Sequence, residues 1–147
     1  MNSHPVSPLI EDILQVENLR KTIDNGSNRV EILRGLTFSI PRGEFVAIMG
    51  ASGSGKSTLL GLMAGLDTAT SGRVLLDGLD ITNLAEDKLA RVRGTKIGFV
   101  FQAYQLVPTL TAEENVLLPA ELIGSGGDLE RRARELLGRV GLGNRGH

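Results

Sequence analysis

Two stretches among the first forty residues alternate between apolar and polar positions, which is the pattern of half-buried strands. Residues 14–19 alternate loosely and predict one strand. Residues 29–40 predict a second strand, because five apolar side chains there share one parity: Val30, Ile32, Leu36, Phe38 and Ile40. Residues 24–28 carry a strong turn signal, and Pro-Arg-Gly at 41–43 closes the second strand. We therefore predict an antiparallel hairpin over residues 14–40.

Two later segments are apolar without alternation. Residues 45–49 are five consecutive apolar residues between glycines at 43 and 50, and residues 97–101 form a similar run. Runs of this kind are typical of strands that are buried on both faces, as in a parallel α/β sheet. Residues 72–77 predict one more strand, which the Asp77-Gly78 turn closes.

The remaining apolar positions recur at helical spacing. One helix is predicted around residues 59–63 and should end at Gly65. Asn83 with Glu86 predicts a helix start, with the helix running to about residue 93, and its basic residues are expected to form a solvated face. Thr111 with Glu114 has the capping-box spacing and opens a helix that Pro119 should disturb. An apolar stripe over residues 129–140 predicts a last helix with its stripe in the core.

Composition and charge narrow the class of protein. The chain has 147 residues, 41% hydrophobic and 22% charged, with a net charge of −1, so it is globular and lacks the basic surplus of a nucleic-acid binder. It has no cysteine, and its two histidines lie near the ends, at His4 and His147. A thiolate site, a multi-histidine metal site and a Ser-His-Asp triad are thereby excluded. No apolar run approaches the ~18 residues that cross a bilayer, and residues 1–8 do not resemble a secretory signal, so we expect a cytosolic protein.

The strongest chemical signal is a glycine-rich stretch between the 44–49 strand and the helix after it. It matches G-x-x-x-x-G-K-[ST] in full, and its residues are Gly50, Ala51, Ser52, Gly53, Ser54, Gly55, Lys56 and Ser57. Glycines let consecutive backbone N–H groups converge on phosphate oxygens, and the helix N-terminus adds its positive end. Lys56 supplies a charge for the β- and γ-phosphates, the Ser57 hydroxyl suits Mg²⁺, and Thr58 can reach the α-phosphate.

The wider pattern resembles the ATP-binding subunit of ABC transporters. The resemblance runs from about Leu14 to the end and looks most like the branch of lipoprotein release, macrolide export and the cell-division transporter. It is carried by these stretches: residues 16–21, 33–38, 42–50, 65–67, 71–74, the Q-loop-like 97–102 and 106–119. The resemblance implies an α/β fold. It would consist of a partial P-loop NTPase core with an antiparallel β layer, followed by the start of an ABC helical subdomain.

The resemblance also implies function. It predicts an ATPase that binds ATP and Mg²⁺, couples hydrolysis to transport by a transmembrane permease subunit, and forms a homodimer in the intact protein. Lys56 and Gln102 would be catalytic. Gln102 would contact Mg²⁺ or the attacking water, and Ser57 would also bind Mg²⁺. The protein would be peripheral on the inner face of the cell membrane through its permease. The implied domains are a flexible tail at 1–10, an ATP-binding part at 11–102 and a truncated helical subdomain at 103–147.

Two departures from the family pattern qualify this interpretation. Ile23 stands where the family usually has an aromatic residue that stacks on adenine, so it covers a base face without the π contact. The signature motif, the Walker B acid and the switch histidine are absent. Residues 74–77 only mimic a Walker B strand and should be a strand end, and residues 124–128 should be a loop. The alternative function is a truncated nucleotide-binding module without hydrolysis. The apolar residues 104, 106 and 110 fit a docking patch or internal packing equally well.

Overall fold

The computed structural model describes residues 12–24, 26, 28–122, 124 and 126–143. The expected tail at 1–10 lies outside them. The elements follow in the order β1 (Asp12–Asp24), β2 (Arg29–Pro41), α1 (Lys56–Met63), β3 (Ser71–Leu76), β4 (Leu79–Asp80), α2 (Glu86–Lys96), α3 (Ala112–Leu122) and α4 (Leu129–Arg139). The chain divides into two compact units, one ending at Leu89 and the other beginning at Ala90, so the boundary falls inside α2. The domain boundaries at 10 and 102 stay a prediction.

The first unit is built on an antiparallel sheet with the strand order β2-β1-β3-β4. The predicted hairpin is confirmed, since β1 pairs with β2 along its length, and β1 also pairs with β3 on its other edge. Strand β3 agrees with the expected strand at 72–77, and the turn after it is present. The buried side chains of this unit come from the sheet, from α1 and from the segments that follow α1 and β4: Leu14, Val16, Leu19, Leu33, Leu59, Leu62, Ala64, Val74, Leu76 and Ile81.

The register of the hairpin shifts at Ile32. Lys21 pairs with Leu33 and Thr22 pairs with Glu31, so Ile32 has no partner residue on β1. An extra residue of this kind is a β-bulge, which re-aims side chains and is frequent beside functional sites. The bulge brings Ile32 Cγ2 and Leu33 Cδ2 to 3.0 Å and 3.1 Å from where a Cβ on Gly55 would lie. Strand β2 therefore packs directly against the glycine-rich loop.

The two apolar runs are not buried, so that prediction is wrong. Residues 44–50 and 97–101 lie outside the four-stranded sheet of the described chain and pair with none of its strands. Phe45 is 98% exposed, Met49 is 89% exposed and Val100 is 96% exposed. A strand that is buried on both faces needs a hydrogen-bonded neighbour on each edge and a covering layer on each face. The described residues supply no strand beside either run.

The second unit contains α3 and α4. The capping box is confirmed, because the Glu114 N–H donates to Thr111 Oγ1 (3.2 Å) and the Thr111 N–H donates to Glu114 Oε2 (2.7 Å). Hydrogen bonds to the Glu114 carboxylate from Thr111, first from its backbone N–H and then from its side chain, hold the pKa of Glu114 below its ordinary value. Pro119 does not end α3, which continues to Leu122. Asp128 caps α4 by accepting the Arg131 N–H at 3.0 Å.

Some expected details of the helices differ. Helix α2 begins at Glu86 rather than at Asn83, with the Ala85 carbonyl accepting from the N–H groups of Lys88 and Leu89. The stripe on α4 is only partly core, since Ala133 and Leu137 are buried whereas Leu136 and Val140 are exposed. No described helix combines the length and the apolar character that spanning a membrane requires.

Candidate nucleotide-binding site

The glycine-rich loop is closed around its own lysine. Lys56 Nζ donates to the carbonyl of Gly50 (2.9 Å) and to the carbonyl of Ala51 (2.7 Å), with Ser54 Oγ at 3.5 Å. A Cβ at Gly50 would lie 2.6 Å from Ser54 Oγ, so the two ends of the loop approach each other closely. The lysine ammonium is therefore held by backbone oxygens at the beginning of the loop.

The N-terminus of α1 lies at the end of this loop and is open to an anion. Helix α1 begins at Lys56, directly after Gly55, whose φ of 89° and ψ of 9° are left-handed. No side chain caps this helix end, and its first turn carries no acidic residue. An uncapped first turn leaves backbone N–H groups for a bound phosphate, and the helix dipole favours a negative charge there.

A cleft of about 620 Å³ opens beside the loop. One side is formed by six consecutive residues of the predicted site: Gly53, Ser54, Gly55, Lys56, Ser57 and Thr58. The other side is strand β2, through Val30, Glu31, Ile32 and Arg34. The volume lies within the range of small-molecule sites. We call the β2 side of this cleft, residues 30–34, the hairpin wall.

The hairpin wall was not identified from the sequence as part of the site. The alternation of residues 29–40 marks Val30 and Ile32 as apolar strand positions, but that pattern alone does not distinguish a core face from a cleft face. What places them in the cleft is the bulge at Ile32 and its contact with Gly55. Glu31 in this wall is ion-paired with Arg20 at 3.0 Å and lies 4.0 Å from Arg34 Nε.

The other predicted site residues lie further from the loop in sequence. Ile23 is the partner of Val30 across the hairpin, so it lies at the edge of the hairpin wall, and its side chain is partly exposed. Gln102 belongs to the second unit, in a bend that follows residues 97–101, and is exposed. Gly50 and Ala51 precede the first turn of the loop, which lies at residues 52–53 and is closed by the Ser54 N–H donating to the Ala51 carbonyl (3.2 Å).

Residues 74–77 end strand β3, as expected, rather than forming a Walker B site. Asp77 lies in the turn after β3, with a positive φ of 52°, and is ion-paired with Arg42. In the described part of the chain, no three His, Cys, Asp or Glu side chains come together in a way that could hold a metal ion. Ser57, which lines the cleft, carries a hydroxyl oxygen of the hard type that Mg²⁺ prefers.

Together, the glycine-rich loop, the open helix N-terminus and the cleft define a P-loop nucleotide-binding protein with an α/β fold. The model of the family described as ABC transporter matches residues 33–147. The chain therefore belongs to the ABC transporter family, and it covers the N-terminal portion of the ATP-binding cassette.

Several curated relatives are similar over nearly the whole chain. The macrolide export ATP-binding/permease protein MacB of Brucella abortus is 51% identical over 134 residues, which are 90% of this chain and 21% of that protein. An ABC transporter ATP-binding protein of Thermotoga maritima is 47% identical over 94% of this chain and 59% of its own length. This chain thus spans about a fifth of MacB and about three fifths of the shorter relative.

The solved structures agree with the sequence relatives. The ATP-binding cassette MJ0796, in a dimeric post-hydrolysis state bound to ADP and Pi, has a TM-score of 0.80 and 41% identity. The match covers 85% of this chain and 56% of that one. The predicted fold class is thereby confirmed: a partial P-loop NTPase core of an ABC cassette with an antiparallel β layer.

Proposed function

We propose that this chain is the N-terminal part of the ATP-binding subunit of an ABC transporter. It binds Mg-ATP through the loop at residues 50–57, and the whole protein couples ATP hydrolysis to transport by a membrane partner. The observation that supports the proposal is the loop geometry: Lys56 and the uncapped first turn of α1 both line one cleft.

Each predicted residue has a chemical role in this proposal. Lys56 neutralises charge on the β- and γ-phosphates, and the backbone N–H groups of the loop and of α1 bind phosphate oxygens. Ser57, which lines the cleft, offers one hard oxygen ligand to Mg²⁺, alongside phosphate oxygens and water. Thr58 is placed for the α-phosphate, Ile23 for the base, and Gln102 for Mg²⁺ or the attacking water in the intact protein. Phosphoryl transfer then depends mostly on positioning and charge stabilisation.

The same cleft favours a second candidate for the 147-residue chain by itself: nucleotide binding without turnover. Among the described residues that line the cleft, Glu31 is the one carboxylate, and it is engaged by Arg20 and lies beside Arg34. Its Oε1 already accepts a hydrogen bond from Arg20 Nη1, and no other carboxylate among the described cleft residues is placed to take a proton from water. We propose that hydrolysis needs residues beyond those of this chain.

The test is binding and hydrolysis of Mg-ATP by the 147-residue chain, with Lys56→Ala as the site variant and Lys88→Ala as the matched control on α2. We expect the site variant to lose at least about tenfold in affinity, or ~1.4 kcal/mol, and the control to bind like the wild type. Phosphate release should not exceed that of Lys56→Ala. Equal affinity in all three proteins would refute the site, and turnover that depends on Lys56 would refute the second candidate.

The relatives support a proposal about partners and location. MacB is named an ATP-binding/permease protein and MJ0796 is a dimer, and we propose a permease partner, a homodimer and a location at the inner face of the membrane for the full protein. In the second unit Tyr104 is 92% exposed and Leu106 is exposed as well, which supports docking rather than internal packing. Tyr104→Glu should reduce the fraction of the full-length protein recovered with membranes, whereas Leu79→Glu on β4 should not. Equal recovery would contradict this placement.

A further inference from the structure

A cluster of hydrogen bonds joins β1 to the loop after α1, away from the phosphate loop. Lys21 Nζ donates to Asp67 Oδ1 (2.7 Å) and to the Thr68 carbonyl (2.7 Å). The hydroxyl of Thr70 accepts the Thr22 N–H (2.9 Å), and the Thr70 N–H donates to the Arg20 carbonyl (2.9 Å). We call residues 20–22 and 67–70, joined in this way, the clamp.

The lysine of the clamp is more buried than is usual for a surface ion pair. The Lys21 side chain is only 15% exposed, and its ammonium has two oxygen partners at short distance. The Lys21 ammonium also keeps the pKa of Asp67 below its ordinary value, mainly through the hydrogen bond between them. A partly buried lysine with a carboxylate and a carbonyl in contact has little freedom to move.

On the β1 side, the clamp ends next to the cleft. Ile23 follows Thr22 directly and is paired with Val30, which belongs to the hairpin wall. The position of residues 20–22 therefore determines where the outer part of that wall lies over the cleft.

On the other side, the clamp is fixed to α1. The Leu66 N–H donates to the Gly61 carbonyl at 2.8 Å, so the chain folds back on the helix. A Cβ on Gly61 would lie 3.9 Å from Asp67 Cβ, which places Asp67 against the middle of α1. Helix α1 begins with Lys56, so the clamp joins the hairpin to the element that carries the phosphate site.

Besides the shared core, two contacts among the described residues join the hairpin to the helix that carries the phosphate site, one at each end of that helix. The first is the contact of Ile32 and Leu33 with Gly55 at the start of α1, and the second is the clamp beyond the end of α1. A single contact leaves the wall free to pivot over the loop, whereas two contacts along the helix fix its separation and its tilt.

From this arrangement we infer that the clamp is a positioning device for the nucleoside part of the nucleotide. It holds the Ile23–Val30 edge at a set distance above the phosphate site, so it raises affinity for base and sugar while leaving phosphate binding unchanged. This inference rests on the proposed nucleotide site. Lys21 is a positioning residue, since it contacts the loop rather than the ligand.

The experiment compares two ligands, Mg-ATP and Mg-tripolyphosphate, by calorimetric titration of the 147-residue chain. Tripolyphosphate lacks base and sugar and reports the phosphate loop alone. Lys21→Met breaks the clamp and keeps an unbranched apolar stem. Glu17→Gln is the matched control, because it breaks another cross-strand ion pair of β1, the one with Arg73 at 2.7 Å. Asp67→Asn is a second variant that weakens the clamp without removing volume.

If the Ile23–Val30 edge must be held in place for base binding, loosening the clamp lowers the fraction of protein that can bind the base by about tenfold. We expect Lys21→Met to weaken Mg-ATP binding by that factor and Mg-tripolyphosphate by less than about twofold. Asp67→Asn should change the ratio in the same direction, and Glu17→Gln should leave it unchanged.

An unchanged ratio in Lys21→Met overturns the inference, even if the variant is less stable, because a merely structural role weakens both ligands together. If the wild type binds both ligands through Lys56 and only the ratio fails to move, the proposed nucleotide site stands and the clamp fails. If the wild type binds neither ligand, the site and the clamp are both refuted.

Discussion

Replacing Gly55 with alanine should damage the phosphate loop more than the same change at Gly53. Both glycines have positive φ, 89° at Gly55 and 78° at Gly53. A residue with a side chain pays roughly 1–2 kcal/mol in the left-handed region. This cost is common to the two variants, so the comparison isolates what surrounds each glycine.

The surroundings differ sharply. A Cβ at Gly55 would lie 3.0 Å from Ile32 Cγ2, 3.1 Å from Leu33 Cδ2 and 3.3 Å from the Ile32 carbonyl, whereas a Cβ at Gly53 meets nothing within 4 Å. Forcing a carbon into such a contact costs about 1–3 kcal/mol, because the neighbours must shift. At 1.4 kcal/mol per factor of ten, Gly55→Ala should bind phosphate about 5- to 150-fold more weakly than Gly53→Ala.

Titration with Mg-tripolyphosphate measures this difference, and urea unfolding of each variant gives the accompanying change in stability. Ile32→Ala removes Cγ2, so the double variant with Gly55→Ala should lose less affinity than the sum of the single changes. Equal losses in Gly53→Ala and Gly55→Ala, or strict additivity in the double variant, would show that the hairpin wall does not shape the loop.

Three further predictions concern stability, pH and association. Gly72→Ala should lower the free energy of unfolding by at least about 3 kcal/mol, since its Cβ would lie 2.3 Å from the Asn18 carbonyl oxygen. Gly78→Ala should lower it much less, because there is open space around Gly78. Similar urea midpoints for the two variants would contradict this. Because the pKa of Asp67 is depressed in the folded state, its contribution to stability is present above about pH 4 and is lost as the pH falls through the folded-state pKa. Because the carboxyl is half-exposed, its contribution to the free energy of unfolding is less than about 1 kcal/mol. Between pH 2 and 5, the stability of Asp67→Asn should depend less on pH than that of the wild type. The same pH dependence in both proteins would contradict this. Val100→Lys should reduce light scattering on concentration at unchanged melting temperature, and unchanged scattering would mean that this exposed run does not drive association.

The hairpin, strand β3 and the capping box of α3 could be predicted because their signals are local. Parity along β2, a turn after β3 and a Thr–Glu pair three residues apart each determine structure within a few residues. The glycine-rich loop gives a signal of the same local kind, since one contiguous stretch carries the whole motif. Its binding of phosphate stays a prediction. Family resemblance added the fold around it, and the comparisons confirmed that fold.

The cleft itself could not be predicted in this way. The hairpin wall meets the loop through a bulge at Ile32, and no residue type marks that extra position in the sequence. The clamp brings together residues more than forty positions apart, Lys21 and Asp67, neither of which stands out among the charged residues. The apolar run at residues 45–49 indicates that these side chains could be buried beside neighbouring strands. The run itself does not show whether the described residues supply such strands.

The strand order β2-β1-β3-β4 has a consequence for how this chain folds as it is synthesised. The hairpin is complete once Pro41 has emerged from the ribosome, but the third strand ends only at Leu76. An isolated two-stranded hairpin is marginal in water. At translation rates of about 5–20 residues per second, the β1 edge waits several seconds for its second neighbour. The glycine-rich loop is made during that interval, so it emerges before the sheet beside it is complete.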